Sequence, residues 1–598
     1  MIILKKIFNL IPYIFISYIF SSILLLAFIA VFKFNNEWEL FLNLFHLLFF
    51  LISLLILRKY KNNFYIKNFQ KFNYLLCFFG LILILYRFPI YFHALDDYVL
   101  HMVSGYYALS AWSSNGFLSV GDSSYLYPLL QTAYYPLINN IGIRLTVLLL
   151  SLVQFIWFLG LNLRFNKLFE NKNKLSHFYI NLFFIFLYFL PELVLTHTLF
   201  MSDFYTVLFS LEITYLFLSK TGNKGLMVIL MILAVLTKQS SGLFIVILFT
   251  YFFFSNFKKI CKTDWTIISI IIFLIGVYCI RSYFETGNPL GFLYNGVFKS
   301  PLYNLINARD LRWGPVGWKE ILIWPLVAFN DSKYIEWIVL KKPVRLIFSL
   351  FLIIPYLTSL YLLIKKKKII YIIIFSSLLF WSWQSGYGRY QTSMTAIIWI
   401  LLFDNVIQFL PKIKNNLLSK IFIFVFATLC FMSIKNDYAL RGFILDEFWP
   451  PKISTHYKRT YIEGLKLLGK DRYIDIYNSI DGVFDGYKQI VVVFRGGVTF
   501  YSFLAEKYNK IPVYSYIDKE QKEDILLSNK ISENIKEKLS LDLKNKPILL
   551  MADLDAENQL KKSYIFSEMD CIKLNRDKIA PQFQSDHYFN YVEEYSCK

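Results

Sequence analysis

The sequence predicts a polytopic α-helical membrane protein with a small α/β domain at its C-terminal end. Three observations lead to this prediction. Hydrophobic residues make up 57% of the 598-residue chain and aromatic residues 19%, well above the usual composition of a soluble domain. Apolar runs of about 20 residues, the length that crosses a bilayer, alternate with short basic segments over residues 1–434. From residue 435 onward, strand-like and helix-like stretches alternate, as is typical of an α/β domain.

The basic segments between the apolar runs predict the orientation of the chain. The runs number about thirteen; those long enough to cross a bilayer are predicted at about 8–32, 39–57, 72–92, 141–163, 177–195, 200–219, 264–284, 344–364, 393–410 and 418–434. Every cluster of Lys and Arg, including the one that begins at Arg164 after the span 141–163, falls on one side when the runs are counted in order. Short loops rich in Lys and Arg stay in the cytoplasm, so the N-terminus is predicted to be cytoplasmic and the C-terminal region extracytoplasmic. These clusters carry most of the net charge of +21, which disfavours nucleic-acid binding.

The pattern divides the chain into three regions. Residues 1–71 are predicted to form a two-span hairpin with a basic cytoplasmic loop, and residues 72–434 a transmembrane module. Residues 435–598 are predicted to form the extracytoplasmic α/β domain. The bias toward Phe, Ile, Asn, Lys and Tyr is typical of an AT-rich coding genome and favours the cytoplasmic (inner) membrane of a bacterium.

Some apolar runs of the transmembrane module are too short to cross a bilayer. Residues 225–236 would form about 18 Å of helix, against a hydrocarbon core of about 30 Å. With the next short run they predict a hairpin whose buried tip, residues 237–242, carries Lys238. The run 369–382 is also short and ends before Arg389. Both cations are therefore predicted to lie below the membrane surface, where a lone charge is unfavourable.

An adjacent carboxylate pair, Asp96 and Asp97, follows the predicted span at residues 72–92. This span leads away from the cytoplasm, so the pair is predicted to lie at the extracytoplasmic surface. Residues 98–112, which come next, are too polar to cross the bilayer and too apolar to be freely solvated. Acidic residues at a membrane boundary support a functional-site hypothesis; the structural alternative is a helix N-cap with one extra charge.

An acidic pair after an outward span, followed by a long amphipathic outer segment, resembles the first extracytoplasmic loop of GT-C superfamily glycosyltransferases. The resemblance covers residues 72–434 and consists of architecture and short motifs. It implies a membrane enzyme that takes a sugar from a polyprenyl- or dolichyl-phosphate carrier. It also implies that an Asp in this loop acts as general base or orients the acceptor. The loop follows the third predicted span here, two spans later than in the many family members that place it after their first span.

The chemistry of such a transfer requires a base and a cation. An acceptor hydroxyl must lose its proton as it attacks the anomeric carbon, so a carboxylate must lie within hydrogen-bond reach of it. The polyprenyl phosphate leaves as an anion, which nearby cations stabilise as its charge develops. We assign Asp97 as the base and Asp96 as the residue that orients the acceptor or holds a metal ion. The reverse order fits the sequence as well.

Two more acidic residues, Glu192 and Asp203, flank the second predicted outer turn. The resemblance implies that an acid in this region supports catalysis; the alternative for Asp203 is the N-cap of the next helix. His197 lies between them and is interpreted as an interfacial histidine. The sequence has no His, Cys and carboxylate cluster with the spacing of metal ligands, so no metal site is assigned, although a divalent ion is compatible with the acidic pair.

Four basic residues are candidates for binding the donor phosphate. Lys238 and Arg389 are predicted to be buried, and a phosphate partner would offset the unfavourable burial of their charge. Arg389 could bind a phosphate through two parallel hydrogen bonds. The alternative for each is that its side chain extends to the membrane surface. Arg309 and Arg312, in the predicted outer loop 285–342, are also candidates, although exposed loops often carry solvated arginines.

The six cysteines are scattered and form no C-x-x-C pair. Cys571 and Cys597 lie in the C-terminal region, so a disulfide between them fits if that region is extracytoplasmic and therefore in an oxidising environment. The other cysteines fall in or beside predicted spans and are interpreted as small apolar side chains that fill space. They are Cys77, Cys261, Cys279 and Cys430.

Together these features predict an inverting glycosyltransferase that moves a sugar from a polyprenyl phosphate to a glycan, lipid or protein acceptor of the cell envelope. A transporter or flippase of lipid-linked glycans would also have many spans and buried charges. The sequence lacks the paired interrupted spans in two halves that transporter repeats usually show. A polymerase or ligase of long lipid-linked chains differs from the predicted glycosyltransferase only in the size of its donor. The sequence does not distinguish the two.

Overall fold

A computed structural model of the chain describes helices up to residue 406 and strands from residue 489 onward. Its described part up to residue 406 is almost entirely helical, in agreement with the predicted class of this region. The described residues are 2–31, 39–64, 80, 81, 84, 137, 143–170, 176–190, 193, 203–219, 223–238, 245, 246, 250, 260–289, 295–299, 315, 317–330, 353, 354, 356–361, 363, 364, 369–384, 388–406, 489–494, 511–516, 548–553, 571–573 and 592–597.

Most of the described helices lie along the predicted apolar runs, whereas Asn295–Phe298 and Trp318–Asn330 lie in the predicted outer loop 285–342. The predicted span at residues 418–434 falls outside the described residues, the span at 72–92 falls largely outside them, and about half of the span at 344–364 is described. The α-helices are α1 (Ile2–Val31), α2 (Glu39–Ile56), α3 (Ile143–Glu170), α4 (Ser176–Tyr188), α5 (Asp203–Leu218), α6 (Lys224–Thr237), α7 (Lys262–Thr286), α8 (Asn295–Phe298), α9 (Trp318–Asn330), α10 (Ile369–Gln384) and α11 (Gly388–Val406), and a 3-10 helix covers Leu57–Phe64.

Local sequence signals set two of the helix ends. Before α6, the side-chain oxygen of Asn223 accepts a hydrogen bond from the backbone N–H of Leu226 at 3.0 Å, which satisfies one of the unpaired donors of the first turn. After α7, Gly287 adopts φ 75°, a left-handed conformation that favours glycine. Its N–H donates to the carbonyl of Tyr283 at 2.8 Å. Both ends therefore follow from single residues at the positions that need them.

Two described helical stretches, Asn43–Lys61 and Leu148–Phe169, are long and apolar enough to cross a membrane. Five shorter apolar helices of 10–17 residues accompany them in the described part. One of these is α6, whose 14 residues rise about 21 Å, less than the thickness of a hydrocarbon core. The predicted short element at residues 225–236 is therefore present as a helix.

The second helix, α2, exposes its apolar face and buries its polar one. Leu44, Leu48 and Leu55 lie on one face and are 54%, 49% and 70% exposed. On the opposite face, His46 and Ser53 are 3% and 0% exposed, and the His46 ring lies 3.1 Å from the Ser21 hydroxyl of α1. A helix of a water-soluble protein has the reverse arrangement. The outer face of α2 therefore has the character of a surface that contacts lipid.

The helix α5 lies at the centre of the helical core. It runs parallel to α3, because Phe158 packs against Phe204 near its start and Phe165 against Tyr215 near its end. The helices α6 and α11 also pack against α5. Burial on several sides explains why α5 is apolar around most of its circumference and why its few charged side chains must find partners.

At one end of the helices, Asp264 of α7 joins three elements. Its carboxylate accepts hydrogen bonds from Lys59 Nζ and Tyr60 Oη of the 3-10 helix. Asp264 is 3% exposed. Gly225, in the first turn of α6, lies so close that a Cβ there would overlap the side chain of Asp264. The absence of a side chain at residue 225 thus allows α6 and α7 to meet.

Replacing Gly225 by Ala is expected to lower the free energy of unfolding by about 1–3 kcal/mol, because the new methyl group overlaps a carboxylate that two hydrogen bonds hold in place. The measurement is the midpoint of thermal unfolding of the purified protein in detergent. Gly276→Ala in α7 is the matched control, since a Cβ there meets no atom within 4 Å. Equal midpoints for the two variants would contradict the close packing of α6 against α7.

The described strands form a five-stranded sheet in the order β2-β1-β3-β5-β4. Both β2 and β3 pair parallel with β1, whereas β5 pairs antiparallel with β3 and with β4. The predicted strand at 473–477 and the predicted helices between strands lie outside the described residues, so the α/β organisation as a whole stays a prediction. The strands are β1 (Gln489–Phe494), β2 (Ile511–Tyr516), β3 (Ile548–Asp553), β4 (Cys571–Lys573) and β5 (Val592–Cys597).

Candidate functional site

Two predicted site residues, Asp203 and Lys238, lie in the described part with their side chains. Arg389 lies in the first turn of α11, where the structure describes the backbone. The roles of the remaining residues stay predictions, because these residues fall outside the described ranges. They are Asp96, Asp97, Glu192, Arg309 and Arg312.

Lys238 and Asp203 form a buried ion pair, in which Lys238 Nζ donates to Asp203 Oδ1. Each side chain is 4% exposed, so water screens the two charges little. The sequence predicts a phosphate as the partner of Lys238 and a supporting acidic role for Asp203. In the structure the two candidates lie together, and a carboxylate neutralises the cation.

The helix arrangement brings the two charges together. The helices α5 and α6 pack side by side and antiparallel, joined by residues 219–223, so the start of α5 lies beside the end of α6. Asp203 is the first residue of α5 and Lys238 is the C-cap of α6. The N-terminal end of a helix favours a negative charge and the C-terminal end a positive one. Each residue therefore has the sign that its helix end stabilises, independently of any ligand.

Several buried polar atoms of α6 and α11 have no hydrogen-bond partner among the described residues. The hydroxyl of Thr237, next to Lys238, is one, and both amide atoms of Gln391 in α11 are others. Thr237 is 1% exposed and Gln391 0%. Buried polar atoms almost always have a partner, so theirs must come from other parts of the chain or from a bound polar molecule. Ser393 Oγ and Thr395 Oγ1 of α11 are in the same situation.

A second buried ion pair joins α3 to α5. Both terminal guanidinium nitrogens of Arg164 donate to the carboxylate of Glu212, and Trp157 Nε1 donates to Glu212 Oε2 at 2.8 Å. The guanidinium carbon lies 4.9 Å from the ring centroid of Tyr215. The Arg164 side chain is 3% exposed and the Glu212 side chain 0%. Glu212 lies about 13 Å along the α5 axis from Asp203, so the two ion pairs are separate.

The prediction that Arg164 lies in a loop is wrong. The predicted span ends at residue 163, whereas α3 continues to Glu170 and buries Arg164. A charge in an apolar helix is tolerated when a partner on a neighbouring helix satisfies it. Glu212 was the available signal, because it is an acid inside the predicted span at residues 200–219 and so requires a cation. Gln391, Ser393 and Thr395 also escaped the sequence reasoning, since neutral polar residues near a helix start are common.

Asp203 neutralises the buried ammonium group of Lys238. The pair therefore keeps a cation away from water without a net charge when no ligand is bound. A phosphate oxygen that reached it would compete with the carboxylate for the ammonium group, and charge-assisted hydrogen bonds of this kind are among the strongest in proteins. Within the described ranges, no three His, Cys, Asp or Glu side chains come together to hold a metal ion. That observation leaves Asp96 and Asp97 untested, because they fall outside these ranges.

Comparison of the chain with protein-family models, with curated proteins and with solved structures found no match. The described residues contribute a neutralised buried lysine at a helix end, an adjacent hydroxyl and a polar turn of α11.

Proposed function

We propose that the protein is a polytopic membrane glycosyltransferase of the GT-C type, which transfers a sugar from a polyprenyl-phosphate carrier to an extracytoplasmic acceptor. About thirteen spans, a cytoplasmic N-terminus and an extracytoplasmic C-terminal domain belong to this proposal. Its membrane location is supported by the apolar outer face and polar inner face of α2 and by the two helical stretches of membrane-spanning length.

The observation that carries the proposed activity is the buried lysine at the end of α6. Lys238 and Asp203 lie at the end of α5 and α6 that is opposite to the contact between Gly225 and Asp264. Under the predicted orientation this end faces outward, on the same side as Asp96 and Asp97. A phosphate-bearing donor in the outer leaflet would then meet a cation and, at Thr237, a hydroxyl without a described partner.

In the proposed reaction, the acceptor hydroxyl oxygen attacks the anomeric carbon of the sugar from the side opposite the phosphate. The bond between that carbon and the phosphate oxygen breaks, and polyprenyl phosphate leaves with both bonding electrons. Asp97 takes the hydroxyl proton, and Asp96 orients the acceptor. Lys238, with Arg389 from the start of α11, stabilises the charge that develops on the phosphate. Glu192 supports the acidic pair, and Arg309 and Arg312 extend the phosphate-binding surface.

Turnover in detergent micelles tests the proposal against a transporter or flippase. Micelles have no separate compartments, so transport leaves no trace in them, whereas a transferase still releases polyprenyl phosphate. Purified protein is expected to release polyprenyl phosphate from at least one member of a panel of polyprenyl-phosphate hexoses when an envelope glycan extract supplies the acceptor. No release in micelles, together with movement of the intact lipid-linked sugar across sealed vesicles, would favour the transporter. Release only with long lipid-linked glycans would favour the polymerase.

Replacing Lys238 by Met and Asp203 by Leu in one double variant is expected to leave the protein folded but to reduce transfer by about 10²–10³-fold. Apolar side chains in place of a buried ion pair are often neutral or stabilising, so folding does not require the two charges. Loss of the cation removes the stabilisation of the leaving phosphate. The measurements are the initial rate of polyprenyl phosphate release and the midpoint of thermal unfolding.

The matched control for this variant removes the other buried pair, through Arg164→Met combined with Glu212→Leu. This pair lies about 13 Å from Asp203 along α5, so its removal is expected to leave transfer close to that of the unaltered protein. If the Lys238→Met, Asp203→Leu variant transfers sugar at the normal rate, Lys238 has a structural role alone.

A further inference from the structure

The two cysteines of the C-terminal sheet lie directly opposite each other. In the antiparallel pairing of β4 with β5, Cys571 is the register partner of Cys597. The chain has only six cysteines among 598 residues, and β4 is only three residues long. Two cysteines placed opposite each other by chance in so short a strand would be rare. The neighbouring register partners are Ile572 with Ser596 and Lys573 with Tyr595.

Directly opposed positions of an antiparallel pair are close enough for a covalent bond. Residues at such positions belong to the same face of the sheet, with Cβ atoms about 4.5–5.5 Å apart. A disulfide holds its Cβ atoms about 3.5–4.5 Å apart, so its formation draws the two cysteines slightly closer. Their Cα atoms are about 4.5–5.5 Å apart, within the range of about 4.4–6.8 Å that disulfides span. The register therefore satisfies the backbone requirement for a disulfide without a change in strand pairing.

We propose that Cys571 and Cys597 form a cross-strand disulfide that fastens the edge strand β4 to β5. Formation joins the two sulfur atoms and releases two protons and two electrons, which an oxidised thiol-disulfide oxidoreductase outside the cytoplasm accepts. The disulfide shares with the proposed function only the extracytoplasmic location of the C-terminal residues, since disulfides persist in oxidising compartments.

The bond has a clear structural consequence. The edge strand β4 pairs with β5 alone in the described sheet, and β5 lies at the end of the chain between β3 and β4. A disulfide here closes residues 571–597 into a loop and so restricts the unfolded chain. Reduction is expected to make the edge strand, residues 571–573, accessible to proteases before the rest of the sheet.

Differential alkylation in native membranes tests the disulfide. Cells are lysed in the presence of an excess of a thiol-alkylating reagent, and the protein is denatured, digested and analysed by mass spectrometry before and after reduction. The expected result is a cross-linked peptide pair, two hydrogen masses below the sum of the free peptides, and no alkylation of Cys571 or Cys597 until reductant is added. Cys261, which is exposed and free, is the internal control and is expected to be alkylated without reductant.

Two variants make the result specific. Cys571→Ser is expected to expose Cys597 to the reagent, whereas Cys261→Ser is expected to leave the linked peptide pair unchanged. Alkylation of either C-terminal cysteine before reduction, or a link from either one to a different cysteine, would overturn the proposal. Failure of the disulfide proposal can be distinguished from failure of the proposed function. A protein that has free thiols at Cys571 and Cys597 and still transfers sugar would refute the disulfide alone.

Discussion

Replacing Asp97 by Asn is expected to reduce sugar transfer by about 10²–10⁴-fold, the usual contribution of a general base. Asn has nearly the same shape as Asp and keeps a hydrogen-bonding oxygen, but it cannot take the proton from the acceptor hydroxyl. The folded protein is therefore expected to persist, with an unchanged midpoint of thermal unfolding. The measurement is the initial rate of polyprenyl phosphate release by the purified protein in detergent.

Two neighbouring substitutions show whether the effect belongs to Asp97. Asp122→Asn is the matched control and is expected to transfer sugar normally; Asp122 begins the second part, residues 122–136, of the predicted outer segment that follows Asp97. Asp96→Asn is expected to raise the acceptor concentration needed for half-maximal rate more than it lowers the maximal rate, since Asp96 is proposed to orient the acceptor. Unchanged transfer by the Asp97→Asn protein would exclude Asp97 as the base. Full loss in Asp96→Asn alone would reverse the two roles.

Replacing Glu212 by Ala is expected to lower the free energy of unfolding by about 3–5 kcal/mol, the range for breaking a buried ion pair. The Arg164 side chain is only 3% exposed. The change removes the carboxylate that accepts hydrogen bonds from both of its terminal nitrogens. It also removes the acceptor of Trp157 Nε1. The measurement is the midpoint of thermal unfolding in detergent, together with the yield of monodisperse protein.

The Arg164→Met, Glu212→Leu double variant separates loss of the pair from loss of one partner. It is expected to recover most of the stability, because no charge is then left buried alone. Ser210→Ala on the same helix is the control, since the Ser210 hydroxyl bonds to the carbonyl of Thr206 one turn earlier and its removal has a small effect. A double variant as unstable as Glu212→Ala would show that the pair is not the source of the effect.

The helix bounds could be predicted closely from the sequence where an apolar run stands alone. The predicted span 39–57 corresponds to α2, Glu39–Ile56, and the span 200–219 corresponds to α5, Asp203–Leu218. Hydrophobic length is a local property, so a single run is sufficient to predict the helix. The prediction failed at Arg164, where a charge was interpreted as the end of a helix. That error arose because the partner of Arg164 lies 48 residues further along the chain.

The candidate site was predictable in part. Asp203 and Lys238 stand out in the sequence because each is a charge at the end of a short or apolar element. Their contact with each other does not follow from the sequence, since 35 residues separate them and only the antiparallel packing of α5 and α6 joins them. That no described residue bonds to the buried amide of Gln391 likewise becomes visible only once α11 is packed against α5.

By itself the sequence determined the helical class of the described residues up to 406, the short length of α6 and the positions of the charges along the chain. The tertiary structure decided which charges meet. It placed Lys238 on Asp203 and Arg164 on Glu212, and it placed Cys571 opposite Cys597 in the sheet. The physical reason is that hydrophobic length and periodicity act over neighbouring residues, whereas an ion pair or a strand register depends on which distant elements pack together.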